Sequence, residues 1–158
     1  MTTFQVIEAR EYHCGQIVRR LREEHRAAVI GLGVNPHREI RASFDQSAYR
    51  RAWLVDGRLA GLGGVTGSLA SSQGMIWLAL TAHAIKYPIE IVKEARRQLD
   101  VISETKRDLV SSLIPGDRTA IRFATMLGFE IAHTMTVPYG NGEVISVRYR
   151  GKSLARAA

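Results

Sequence analysis

A chain of 158 residues, 46% hydrophobic and 23% charged, has globular composition, which excludes intrinsic disorder. Lys and Arg number 22 against 15 Asp and Glu. The resulting +7 charge suits an acidic ligand, nucleic acid or an assembly surface, without choosing among them. Cys14 is the one cysteine, which excludes an intramolecular disulfide and a Cys-rich zinc site. No apolar run approaches the ~20 residues that span a bilayer, and the opening residues do not read as a signal peptide. A soluble, cytoplasmic protein is expected, with one domain over residues 1–151 and a basic tail over 152–158.

In chain order, Phe4 to Ala9 reads as a short first strand. From Cys14 to about Ala28, Ile17, Val18, Leu21 and Ala28 share one helical face, while Arg19, Arg22 and Arg26 share another. Gly31 and Gly33 end that helix, and Pro36 starts a second one that runs to about Tyr49. Trp53-Leu54-Val55 and Arg58-Leu59-Ala60 flank Asp56-Gly57, a pair suited to a type I′ turn, so a β-hairpin is predicted. Gly61, Gly63 and Gly64 follow in its second strand, where they permit a bulge or close packing; packing is a better reading of them than a nucleotide loop.

Gly67 to Gly74 is a small polar loop, read as mobile. Met75 to Leu80 is apolar throughout, as expected of a central strand buried on both faces. Pro88 opens the longest helix, with Ile89, Val92, Ala95, Leu99 and Ile102 on its apolar face. Leu109 to Ile114 is a strand. Asp117 is an N-cap for the next helix, and Gly128 supplies its left-handed end, followed by Phe129. Glu130 to Val137 and Glu143 to Tyr149 form a last strand pair around Tyr139 to Gly142. The order β-α-α-β-β-β-α-β-α-β-β predicts an α/β domain with a mixed sheet.

That order resembles the Gcn5-related N-acetyltransferase fold, the acyl-CoA N-acyltransferase architecture of a mixed sheet flanked by helices. The segment from Asp117 to Glu130, with its polar cap, Ala124 and Leu127-Gly128-Phe129, is similar to the family's closing segment. A narrower likeness is to the acetyltransferase-like internal virion protein family of T7-type podophages and their prophage relatives. It rests on Ser47 ahead of the Trp53 to Gly57 strand and turn, Gly64-Val65 before the loop into Met75-Ile76-Trp77-Leu78, and Glu94-Ala95-Arg96-Arg97-Gln98-Leu99 after Pro88.

The resemblance implies an acetyl-CoA site, with the pyrophosphate at the N-terminus of the long helix, where backbone N–H groups and the helix dipole bind anions. Leu80, Thr81, Lys86, Tyr87 and Asp117 are the implied cofactor-binding residues, and His83 is the candidate catalytic base. No metal is implied. Two departures from the family weaken that site. The family's glycine-rich phosphate loop is here His83-Ala84-Ile85-Lys86-Tyr87-Pro88-Ile89-Glu90, which lacks glycine, loses a donor at Pro88 and carries an acid at Glu90. The Tyr that reprotonates the leaving thiolate in many members is here Ala124. The sequence therefore leads to a phage or prophage protein with a degenerate acetyl-CoA site, whose partners are virion or assembly proteins. The alternative is an active acetyl-CoA-dependent N-acetyltransferase acting on an amine of a small molecule or protein. The Arg19, Arg22 and Arg26 face is the one candidate for nucleic-acid contact, and no membrane partner is expected.

Overall fold

The computed structural model describes residues 2–68, 70–136 and 142–150. Along the chain run β1 (Phe4–Glu8), α1 (Glu11–Arg19), α2 (Glu23–Gly31), α3 (Pro36–Asp45), β2 (Ser47–Val55), β3 (Arg58–Thr66) and β4 (Gln73–Leu80). A 3-10 turn (His83–Lys86) then leads to α4 (Pro88–Ser103), β5 (Asp108–Leu113), α5 (Arg118–Leu127), β6 (Phe129–Thr136) and β7 (Glu143–Arg150). The seven strands form one mixed sheet in the order β1-β2-β3-β4-β5-β7-β6. Only β4 and β5 are parallel; every other pair is antiparallel.

Local chemistry accounts for the element ends. Asp56 and Gly57 take φ of 50° and 78°, the left-handed pair that closes a type I′ hairpin. The Asn35 side chain caps α3 by accepting from His37 N and Arg38 N at 2.9 and 3.1 Å, with Pro36 at the first helical position. Asp117 Oδ1 accepts from Ala120 N at 3.2 Å to cap α5, and Gly128, at φ 101°, ends it.

Neighbouring residues on β2 point to opposite faces, and so divide the core. Ala52 lies with Cys14, Ile17, Ile40 and Phe44 beneath α1 and α3. Trp53 and Val55 lie with Ile91 and Ala95 beneath the first half of α4. The second half of α4 packs through Leu99 and Ile102 onto Leu109, Ala124, Phe129, Val147 and Tyr149. No helix among the described residues is long and apolar enough to cross a membrane.

Several expectations need correction. The helix expected from Cys14 to about Ala28 is two helices, α1 and α2, because Arg20, Leu21 and Arg22 leave the helical path to bond with the end of β4. That break dissolves the arginine face: Arg22 is buried, while Arg26 turns back to donate to the carbonyl of Val18. The second helix stops at Asp45, and Tyr49 belongs to β2.

Met75 to Leu80 is not buried on both faces. Met75 is 45% exposed although it pairs with both Thr66 and Val110, and Ile76, Trp77 and Leu78 are half-buried where β5 has left β4. On α4 the buried face runs through Ile91, Ala95, Gln98, Leu99 and Ile102; Ile89 is 66% exposed in the first turn. The loop before β4 ends at Ser72, and Lys106 Nζ holds it by donating to the carbonyls of Ser68 and Ser71 at 2.6 Å each. The tail over 152–158 and most of the turn from Tyr139 to Gly142 lie outside the described residues.

Candidate functional site

The parallel pairing of β4 with β5 is confined to Gln73↔Asp108, Gly74↔Leu109 and Met75↔Val110. One further link follows, from Ser111 Oγ to the carbonyl of Ile76 at 2.8 Å. Beyond it the strands splay. The splay leaves an edge of β4 without a partner strand. Thr81 N donates to Ala60 O on β3 at 2.9 Å, so odd-numbered positions of β4 face β3 and even-numbered ones face the splay.

That edge is largely occupied by the chain itself. Arg22 N donates to Leu80 O at 3.0 Å, Ala82 N donates to Arg20 O at 3.1 Å, and Leu21 and Thr81 form an antiparallel bridge. The segment Arg20 to Arg22 thus lies in the mouth of the splay as a short strap. With Ile76 O taken by Ser111 and Leu80 O by Arg22, Leu78 is the even-numbered position left between them.

The strap is anchored from the far side. Arg22 Nη2 lies 2.7 Å from Asp117 Oδ2, with side-chain exposures of 7% and 5%. Glu24 adds a second tie, accepting from Thr119 N and Thr119 Oγ1 at 3.0 Å each. The Thr119 amide is the main influence holding the Glu24 carboxyl below its usual 4.5. Burial lowers the pKa of His25 in the same region, assisted by the Arg22 cation and opposed by Asp117.

The implied site residues are therefore placed as follows. Leu80 and Thr81 end β4; Thr81 is fully buried, and its hydroxyl accepts from Ala84 N at 3.3 Å, so it braces the turn from within. Lys86 is exposed on the 3-10 turn, and Tyr87 is half-buried with its ring edge-on to His83, centroids 5.2 Å apart. Both ring nitrogens of His83 are shielded, with no hydrogen-bond partner among the described residues. Among the described residues no carboxylate hydrogen-bonds to the imidazole. Asp117 is tied to the end of β4 through Arg22.

Part of the turn's donor set is already used, while the first-turn amides of Ile89 and Glu90 have no backbone partner among the described residues. The N–H groups of Thr81, Ala82, Ala84 and Tyr87 all donate to carbonyls of the chain, and Pro88 has none. Glu90 stands in the first turn of α4, where its charge opposes an anion. Ala124, in the position of the family's acid, is buried beside Phe129 and Tyr149. Among the described residues no group of three or more His, Cys, Asp and Glu could hold a metal ion.

Arg22, with Leu21 and Glu24, is what sequence reasoning missed. A signal was present: Glu23-Glu24 is an acidic pair suited to a first helical turn, and α2 starts there.

No family model matches the chain, and no curated protein matches it. Solved structures do. An aminoglycoside acetyltransferase AAC(6')-Ib, in complex with ribostamycin and coenzyme A, aligns with TM-score 0.69 at 14% identity over 98% of this chain and 97% of that one. The ribosomal-protein-S5-alanine acetyltransferase from Vibrio fischeri gives 0.66 at 11% identity over 94% and 93%. An acetyltransferase of the GNAT family from Bacillus anthracis gives 0.68 at 8% identity over 93% and 94%. Likenesses at these identities show the fold: a mixed seven-stranded sheet flanked by five helices, of the Gcn5-related N-acetyltransferase type.

Proposed function

We propose that this chain carries the acetyltransferase fold with a degenerate acetyl-CoA site, and that it serves as a binding scaffold with weak or lost acetyl transfer. The observation that carries this reading is the strap. A thioester arm pairing with β4 as an added strand would find the carbonyl of Leu80 and the amide of Ala82 already held by Arg22 and Arg20, which leaves it only the stretch of edge around Leu78. The phosphate end of such a ligand fits no better, since Pro88 withholds a donor and Glu90 adds a negative charge. The residues present do not fit acetyl-CoA as a tightly held group. A virion or assembly role, in a host cytoplasm or a particle, is the partner class that goes with this reading, and it rests on the likeness in sequence to the podophage family.

The second reading is an active N-acetyltransferase using His83, Leu80, Thr81, Lys86, Tyr87 and Asp117. It is favoured by fold neighbours described in complex with coenzyme A or acetyl-CoA.

Calorimetry with acetyl-CoA separates the two. A missing charge-assisted hydrogen bond costs ~1.5–3 kcal/mol, and a first-turn carboxylate works against the anion by up to ~1 kcal/mol. The sum, ~2–4 kcal/mol, weakens binding roughly 30- to 1,000-fold relative to an intact site. The expected dissociation constant is on the order of 0.1 mM or weaker, given an intact site in the micromolar range, with up to about fivefold recovery in Glu90→Gly. Low-micromolar binding by the unaltered chain would overturn the degenerate-site reading and restore the enzyme.

A further inference from the structure

Arg19, which the sequence placed on a face with Arg22 and Arg26, instead joins Arg20 and Arg58 along a cleft of about 540 Å³ between α1 and the β2–β3 hairpin. Ile7, Leu54 and Leu59 make its floor, and Tyr12, His13 and Gln16 line its α1 side. The lining contains three guanidinium groups and no acid. Arg19 is tied to its own helix, its Nε donating to Gly15 O at 3.2 Å. Arg20 and Arg58 are exposed and form no ion pair among the described residues. The Tyr12 ring is 62% exposed, backed by the His13 ring at 4.3 Å between centroids.

We propose that this cleft binds a small phosphate ester bearing a flat ring, of about mononucleotide size. The volume lies within the ~300–1,000 Å³ usual for small-molecule sites, and a local apolar floor with a few converging polar groups is the usual lining. Guanidinium groups are the side chains best matched to phosphate oxygens, through paired N–H donors and a permanent charge. Tyr12 offers a partly exposed aromatic surface on which a ring can stack. The acids adjacent in sequence to lining residues have partners elsewhere: Glu8 with Arg10 at 3.9 Å, Glu11 with Arg41 at 2.9 Å, and Asp56, which accepts from Thr3 N at 2.8 Å. The cations come from the α1 C-terminus and the hairpin rather than from the start of α4, and Arg20 serves the strap through its backbone carbonyl alone, so its side chain can be changed without touching that bond.

The test is a titration of the whole chain with AMP, adenosine and inorganic phosphate, followed by calorimetry and by amide shifts in two-dimensional NMR. Saturable AMP binding is expected, with shifts centred on Tyr12, Arg20 and Arg58. Phosphate should bind more weakly at the same residues, and adenosine should not bind measurably. Arg20→Glu and Arg58→Glu should each weaken AMP by about tenfold or more. Arg38→Glu, the same charge change on the exposed side of α3, should leave it unchanged, as should Glu90→Gly. Equal losses in Arg38→Glu and Arg58→Glu would reduce the effect to net charge and overturn the site. So would absence of saturable binding, or shifts centred on the 3-10 turn and the start of α4. A short oligonucleotide that bound far more tightly than AMP at these arginines would replace the small ligand with nucleic acid.

Discussion

At the scale of single residues, the buried groups set how the fold answers to pH. Burial, and then the Arg10 cation, hold His13 below its usual 6.5, while its Nδ1 accepts from Arg10 N at 2.8 Å. Burial first, and then Arg22, hold His25 below the same value. Both imidazoles therefore stay neutral in the fold at a pH where the unfolded chain takes up protons. Their contribution to stability is full above 6.5 and is lost as pH falls below it, toward the lowered folded values. The histidine effect is isolated as a difference. The urea midpoint should fall between pH 7 and pH 5 in the unaltered chain, and fall less in a His13→Gln, His25→Leu double variant. Gln at position 13 can still accept the capping bond from Arg10 N, so the change removes the titration and keeps the cap. Parallel profiles for the two proteins would show that neither histidine is responsible.

Among the elements, close packing explains both what the sequence revealed and what it concealed. The hairpin, the Pro36 and Pro88 helix starts, the Asp117 cap and the Gly128 end were legible because each is set by chemistry within a few residues. The break between α1 and α2 was not, because its cause is the end of β4, about sixty residues further on, whose Leu80 carbonyl and Ala82 amide draw Arg22 and Arg20 out of the helical path. Nor could composition show that Met75, flanked by strands on both sides, presents its side chain to solvent. The glycines of β3 fall between these cases. At Gly64 a Cβ would overlap the carbonyl of Tyr49 and lie 3.2 Å from Trp77 Nε1, at the junction where Trp77 Nε1 donates to Ser47 Oγ at 2.7 Å. Gly64→Ala should therefore destabilise by about 1–3 kcal/mol in urea unfolding. Gly31→Ala, at the end of α2 with nothing within 4 Å of the added carbon, should stabilise by about 0.4–1 kcal/mol. A neutral result at Gly64 would mean that β2 and β4 can part there without cost.

Over the whole molecule, the sheet consists of two arms that meet at few places. One arm is β1 to β4 with α1 to α3, and the other is β5, β7 and β6 with α5, while α4 packs on both. At one end the arms share the three β4–β5 pairs; at the other they are tied by Arg22–Asp117 and Glu24–Thr119. The ion pair joins residues 95 apart in sequence, and its removal reports on the union of the arms rather than on either alone. Arg22→Met leaves the Asp117 carboxylate buried without its cation, which costs ~3–5 kcal/mol. Asp117→Asn is the informative partner, because Asn caps a helix as well as Asp and so removes the charge while keeping the bond to Ala120 N. The double variant should cost less than the sum of the singles, by ~0.5–3 kcal/mol of coupling. Native-state amide exchange then shows how far the tie reaches. Openings that break the clamp become easier in Arg22→Met by its full cost, about 10²-fold or more in exchange rate. If the clamp joins the arms, Ala82, whose amide bonds to the strap, and Leu109 and Val147 on the second arm should lose protection by the same factor. Loss at Ala82 with Leu109 and Val147 unchanged would reduce the clamp to a local fastening of the strap, and the union of the arms would then rest on α4, the three strand pairs, the Ser111–Ile76 bond and the packing of Val65 against Leu109 and Val147.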